Sequence, residues 1–218
     1  MEPQTLFKIR NYLKYERHKE AEQYIISTTV PGLERLIRLD SVNVNQKGSG
    51  FKGNKYIVHS GGEQLFHLKE DGHALTFLAH GSSRGFHMDG VDNLGHHVFS
   101  LRRPAVFIKD KVEVYLNKTL VSIIRKEATF VTPVFSINDG QDAPMLRIKG
   151  DMSDYDFQVQ TAKKVTIGKI KKKFRGLLNE MFTYKDDYVV TFPTDLDVRF
   201  KIAVISACIL IDYRYHES

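Results

Sequence analysis

The run Ile202-Ala203-Val204-Ile205-Ser206-Ala207-Cys208-Ile209-Leu210-Ile211 is the most apolar stretch of the chain, and its reading decides the fold. A membrane-crossing helix needs ~20 apolar residues, whereas a run of ~10–14 more often belongs to a buried core helix. Toward the N-terminus the run meets Asp195, Asp197, Arg199 and Lys201; Asp212 and Arg214 stop it at the other end. Asp195 or Asp197 is suited to cap a helix, because a carboxylate there accepts free backbone N–H groups and favours the positive helix end. Residues 196–213 therefore read as a helix that is apolar all round and enclosed by protein. Its Ile and Val content leaves a buried strand as the rival reading.

The segment before it is β in pattern. From Asn54 to Phe192, short alternating or apolar runs recur: Lys55-Tyr56-Ile57-Val58, Gln64-Leu65-Phe66-His67-Leu68, His97-Val98-Phe99-Ser100-Leu101 and Lys111-Val112-Glu113-Val114-Tyr115-Leu116. Met145-Leu146-Arg147-Ile148, Asp156-Phe157-Gln158-Val159 and Val165-Thr166-Ile167-Gly168-Lys169-Ile170 continue the series. Alternation with period two predicts strands with one buried face. Ser60-Gly61-Gly62, Asn93-Leu94-Gly95 and Asn138-Asp139-Gly140 are turn signals between them. Many short strands without intervening helices predict a sandwich or barrel.

An internal echo favours the barrel. The hairpin around Tyr56–Asp71 resembles the one around Phe135–Asp151, and the strands at Phe86 and Val98 resemble those at Phe157 and Val165. Two halves of similar order would close a barrel by pseudo-symmetry, with chance likeness between hairpins as the competing explanation. Residues 1–30 are polar and charged and read as an N-terminal arm, helical in part over 7–22. The composition changes at Pro31-Gly32-Leu33, which places the start of the barrel domain, 31–218.

The 218 residues suit one large domain, which buries roughly 70% of its unfolded surface and needs no covalent staples. With 42% hydrophobic and 27% charged residues the chain is neither disordered nor a polytopic membrane protein. One cysteine, Cys208, forms no intramolecular disulfide, and Met1-Glu2-Pro3-Gln4 lacks the order of a secretory signal. The expected location is the cytosol, the cytoplasmic face of membranes or the nucleus. A net charge of +6 favours anionic partners: acidic lipid first, with nucleic acid as an alternative.

Enzyme signatures are missing: the chain has no GxSxG, HExxH, P-loop or GxGxxG. Histidines 59, 67, 73, 80 and 87 have no i,i+4 pairing and there is no CxxC, so they read as ordinary surface and loop residues. The loop His80-Gly81-Ser82-Ser83-Arg84-Gly85 reads as surface. The basic segment is the strongest candidate site: Lys163 and Lys164, then Lys169, Lys171, Lys172, Lys173 and Arg175. Each Lys or Arg near an anionic membrane contributes about 1 kcal/mol. The same run would suit nuclear import or nucleic-acid phosphates, and lysines also protect strand edges. Asp186, Asp187 and Asp195 supply hard oxygen ligands of the kind calcium takes. Scored as an EF-hand-like loop from Tyr184, however, only Asp186 and Asp195 fall at ligand positions, while Tyr184 and Val189 miss theirs.

The run Phe192-Pro193-Thr194-Asp195-Leu196-Asp197-Val198, followed by Ala203-Val204 and Ala207-Cys208-Ile209-Leu210-Ile211-Asp212-Tyr213, resembles the C-terminal signature of the phospholipid scramblase family. Collinear matches include Pro31-Gly32-Leu33-Glu34, Asn54-Lys55-Tyr56, Leu101-Arg102-Arg103-Pro104, Leu146-Arg147-Ile148-Lys149-Gly150, Asp154-Tyr155-Asp156-Phe157 and Ile167-Gly168-Lys169-Ile170. The resemblance implies a tubby-like fold, a closed twelve-stranded β-barrel around a buried C-terminal helix. It implies calcium-dependent, bidirectional movement of phospholipid between leaflets by a protein that is not a chemical catalyst. Its calcium loop falls on residues 184–195, where Asp186 and Asp195 carry over, and its basic import segment falls on 168–176. The family's proline-rich extension and its cysteine cluster after Arg103-Pro104 have no counterpart here, so the expected route to membranes is charge or a partner. The alternative reading is a regulatory module that binds anionic lipid or nucleic acid without transport.

Overall fold

The computed structural model describes residues 32–47, 53–71, 85–104, 111–129, 131–151, 155–173 and 186–216. The N-terminal arm, the loop at His80, Tyr184 and Arg175 lie outside the described residues. Helix α1 (Leu33–Ile37) leads into β1 (Ser41–Gln46), β2 (Lys55–Ser60), β3 (Glu63–Glu70), β4 (Phe86–Val91), β5 (His97–Arg103) and β6 (Lys111–Leu116). The second half is β7 (Thr119–Lys126), β8 (Val134–Asp139), β9 (Pro144–Asp151), β10 (Asp156–Thr161), β11 (Thr166–Lys172) and β12 (Asp186–Thr191), followed by α2 (Val198–His216). Each strand pairs antiparallel with its sequence neighbour, and β1 closes the ring by pairing Ser41 with Thr191 through Gln46 with Asp186 of β12. The twelve-stranded closed barrel with a central helix is thus observed, and the buried-strand reading of 202–211 is excluded.

The strands of the internal echo, β2–β5 and β8–β11, stand six positions apart in the ring of twelve. That spacing sets them on opposite sides of the barrel, as two pseudo-symmetric halves require. The β region starts at Ser41, earlier than the expected Asn54, because Ser41-Val42-Asn43-Val44-Asn45-Gln46 offers only two apolar residues to an alternation count. Both of them, Val42 and Val44, are buried.

Closing a sheet removes its edges but leaves an interior to fill. Helix α2 fills it: every residue from Phe200 to Tyr213 is buried, and the helix packs on β7, β12, β6, β8, β1 and α1. Asp197, rather than Asp195, caps it. Its Oδ1 accepts the Arg199 backbone N–H at 2.9 Å, and its carboxylate also takes the Arg199 side chain at 2.6 Å. Of the charges flanking the apolar run, Asp197, Lys201 and Asp212 lie inside the protein, while Asp195 is exposed. Tyr56 donates to Asp212 Oδ2 at 2.8 Å, and the helix continues past Asp212 to His216. Ser206 returns its hydroxyl to the Ile202 carbonyl, at 2.7 Å.

Lys201, fully buried, joins α2 to α1 and the residues after it. Its Nζ donates among the carbonyls of Ile37 (2.7 Å), Leu39 (2.8 Å), Thr194 (2.7 Å) and Leu36 (3.3 Å). Three of these belong to the C-terminal end of α1 and the residues after it, where carbonyls lack helical partners and a cation is favoured. Leu33 and Leu36 seal this end of the barrel. Burial lowers the Lys201 pKa from 10.5 to about 8, against the opposing charges of Asp195 and Asp40. The unfolded chain therefore holds more protons than the fold between about pH 8 and 10.5, so this group adds stability as pH rises through that window. Lys201→Met is expected to cost at least about 3 kcal/mol near neutral pH, because buried carbonyls lose a charged donor. Denaturant unfolding of both proteins from pH 7.5 upward checks both effects: wild type gains on the variant's pH slope.

Candidate functional site

Alternation along β11 sorts the basic segment. Ile170 points inward, while Lys169 and Lys171, with Lys173 just beyond the strand, stand exposed on the outer wall. Lys172 turns to the barrel end, its Nζ 5.1 Å from the Tyr155 ring centroid and 5.9 Å from that of Tyr188. Gly168 lets β11 approach β12: a Cβ there would lie 2.1 Å from the Thr191 carbonyl oxygen. The Lys169 N–H donates to Thr191 Oγ1 at 3.0 Å. Both sides of β11 are paired, so its lysines form a wall of side chains rather than a free peptide.

The sequence reading missed Lys149 as part of this wall. In register, Gln158 of β10 lies between Lys149 of β9 and Lys169 of β11, two strands apart, or about 10 Å. One row further, Asp156 lies between Asp151 and Lys171, and Lys171 Nζ is 3.6 Å from Asp156 Oδ2. Lys173 donates to Asn43 Oδ1 at 3.0 Å. Nearby, Asn45 bridges Asp187 and His59. Burial lowers the His59 pKa; Asp187 opposes this and Lys173 adds to it.

A half-open groove of about 570 Å³ crosses this wall. Val131, Thr132 and Pro133 form one lip, and Lys149, Gly150, Asp151, Asp156, Gln158 and Lys169 line the rest. Gly150 permits the lip to lie on β9. A Cβ at this position would meet the Phe157 ring at 2.2 Å and Pro133 Cγ at 3.1 Å, and its N–H donates to the Pro133 carbonyl at 2.9 Å.

The proposed calcium ligands are not brought together. Asp186 opens β12, whereas Asp195 lies past its far end in the turn before α2. The six extended residues of β12 alone separate them by about 17 Å, whereas both oxygens of one site lie within 2.3–2.6 Å of the ion. Val189, at the position of the expected glycine, pairs with Asn43 and Lys171 in the barrel wall. These residues do not fit one calcium ion. Among the described residues no group of three or more His, Cys, Asp or Glu is arranged for a metal.

A polar cluster on β4 and β5 invites comparison with a catalytic triad. Ser100 donates to Asp89 Oδ1 at 2.6 Å, and His97 Nε2 lies 2.8 Å from Ser100 Oγ. The serine proton is directed at the carboxylate, so the imidazole is the donor to Oγ and not its base. His87 adds contacts to Asp71 (2.7 Å) and Asp89 (3.3 Å). Cys208 is buried, and burial, with Asp212 adding to it, raises its thiol pKa well above the ordinary value. That leaves it without the thiolate character of a nucleophile.

The sequence model of the Scramblase family matches residues 21–218, so the chain belongs to the Scramblase family. It is 32% identical over 210 residues to phospholipid scramblase 2 of Bos taurus, a match covering 86% of this chain and 72% of that one. It is 30% identical over 211 residues to human phospholipid scramblase 1, covering 86% of this chain and 66% of the relative. Human phospholipid scramblase family member 5 is 30% identical over 210 residues, covering 86% of this chain and 78% of that protein. Among solved structures, an X-ray structure of an Arabidopsis thaliana protein aligns with a TM-score of 0.49 at 15% identity, over 79% of this chain and 90% of that one.

The separation of Asp186 from Asp195 has a direct readout. Asp195→Asn is expected to leave the calcium isotherm of the protein unchanged in titration calorimetry. Loss of a saturable calcium-binding event in that variant would show that the two ends of β12 do act together.

Proposed function

We propose that this chain is a membrane-surface protein that binds phospholipid through the lysine wall of β9–β11 and moves it in both directions between leaflets with the barrel intact. The observation that carries the reading is the alignment of Lys149, Lys169, Lys171 and Lys173 on one exposed wall. The relatives named phospholipid scramblases supply the activity. At about 1 kcal/mol each, four lysines near an anionic surface contribute up to roughly 4 kcal/mol, about a thousandfold in partitioning. Asp151 and Asp156 reduce that figure. The anionic cytoplasmic leaflet is the surface such a wall suits.

Helix α2 stays in the barrel in this reading. Among the described residues no helix is long and apolar enough to cross a membrane. Moving α2 into a bilayer would strip Lys201 of its carbonyls and Asp212 of Tyr56, and would carry two charges that cost about 2.5–3.5 kcal/mol each at the bilayer centre. Lipid contact is therefore assigned to the outer wall, and no step is routed through calcium. Moving a lipid breaks no covalent bond, so no catalytic residue is assigned. The enclosed helix also favours a second reading, a module that binds anionic headgroups without exchanging lipid; the same wall would accept nucleic-acid phosphates.

Vesicles with and without phosphatidylserine, carrying labelled lipid in one leaflet, separate these readings. Expected are salt-sensitive binding, leaflet exchange in both directions, and about 30-fold weaker partitioning of Lys169→Gln/Lys171→Gln. Binding without exchange, at matched lipid and protein, selects the non-transporting module. Binding indifferent to salt and to phosphatidylserine overturns both.

A further inference from the structure

The groove on the wall is charged in two halves. Lys149 and Lys169 flank Gln158 in one row, and Asp151 faces Asp156 in the next, about 7 Å along the strands. Like charges directly opposite on neighbouring strands destabilise a sheet. Lys171 pairs with Asp156 by charge, but at 3.6 Å from Asp156 Oδ2 it is beyond hydrogen-bond distance. Asp156 Oδ1 is buried with no hydrogen-bond partner among the described residues. A buried carboxylate oxygen without a donor carries a desolvation cost that an incoming N–H group would relieve.

A purely anionic ligand in this groove would meet Asp151 and Asp156. A purely cationic one would meet Lys149 and Lys169. A ligand carrying a phosphate and an ammonium a short link apart matches both rows, with Gln158 placed to donate to a phosphate oxygen. The volume of about 570 Å³ lies within the range of small-molecule sites. The nature of the cationic end follows from the lining. Recognition of a quaternary ammonium relies on aromatic faces, and no aromatic side chain lines the groove among the described residues. A carboxylate short of a hydrogen-bond donor instead favours an ammonium that carries N–H groups.

The geometry points to a headgroup site for phosphoethanolamine, with the phosphate held by Lys149, Lys169 and Gln158 and the primary ammonium held by Asp156 and Asp151. This deepens the reading of phospholipid contact and rests on it for the claim that the headgroup arrives on a lipid. A choline headgroup keeps the phosphate contacts but brings no N–H to Asp156. A serine headgroup adds a carboxylate that faces the aspartates.

The test uses the full chain and soluble probes: glycerophosphoethanolamine, glycerophosphocholine, glycerophosphoserine and inorganic phosphate, followed by titration calorimetry and amide chemical shifts. Expected is at least tenfold tighter binding of the ethanolamine ester than of the other three, with shifts at Lys149, Gly150, Gln158 and Lys169. Asp156→Asn, nearly isosteric, should erase the preference for ethanolamine over choline without weakening inorganic phosphate, because it removes a negative charge beside the lysines. Lys149→Met/Lys169→Met should weaken every phosphate-bearing probe, with a thermal melt confirming that each variant folds. Equal binding of choline and ethanolamine esters, inorganic phosphate binding as tightly as the ester, or shifts confined elsewhere would overturn the site. Displacement of the bound ester by phosphatidylethanolamine vesicles supports a lipid-borne ligand; failure to displace it overturns that part. Docking on phosphatidylserine vesicles without headgroup discrimination overturns the groove and leaves the surface-binding reading. Headgroup discrimination without salt-sensitive docking does the reverse.

Discussion

The ammonium of Lys201 holds together parts of the chain far apart in sequence. A closed sheet needs a filling, and α2 provides it, but an all-apolar helix in an apolar cylinder has little to fix its depth or rotation. Lys201 supplies that fix at one end by gathering the carbonyls of Leu36, Ile37, Leu39 and Thr194. Asp212, bound by Tyr56 of β2, supplies it toward the other. Between these two polar contacts the helix is packed by shape alone, from Ile202 to Ile211, with Ser206 satisfied within the helix. Removing a partner from either contact would leave a buried polar group unmet, which is why charges inside this core favour one seating of the helix.

The architecture was legible in the sequence because it depends on periodicities that survive without tertiary knowledge. The ten-residue apolar run was too short for a membrane and too apolar for a surface, and period-two alternation marked most of the wall. The errors have physical causes. Lys201 and Asp212 bound the apolar run inside the helix expected over 196–213, and isolated charges normally mark solvent. Here each is buried with partners from α1, the residues after it and β2 that no local window contains. Helix α1, with five residues, is too short to show a period, yet Leu33 and Leu36 close the barrel end.

The site was legible only along the chain and not across it. The lysines of β11 stood out as a run, and alternation then removed Lys172 from the outer wall. Lys149, some twenty residues earlier, joins them through two strand registers that depend on the whole ring. Asp186 and Asp195 failed in the opposite sense. Their spacing suited a loop, but Tyr188-Val189-Val190-Thr191 is a strand former, and a strand carries its two ends apart. Spacing implies proximity only where the intervening backbone can turn.

The same alternation divides the labour of the fold. Inward positions are committed to α2 and tolerate little change in volume, as the close approach of Gly150 to Phe157 and of Gly90 to Phe99 illustrates. Outward positions carry no packing duty, so their charges can be set by a surface partner alone. On β9–β11 those charges are interleaved, with Asp151 and Asp156 one row from Lys149 and Lys169. Interleaving weakens the long-range attraction that an unbroken lysine row would exert, but it creates short-range complementarity. Over distances beyond the roughly 8 Å screening length of physiological salt, the wall presents a reduced positive charge. Within a few ångströms a ligand meets separate cationic and anionic rows. A wall of this kind makes modest, reversible contact with an acidic surface while discriminating by headgroup, and it does so without disturbing the helix on which the barrel depends.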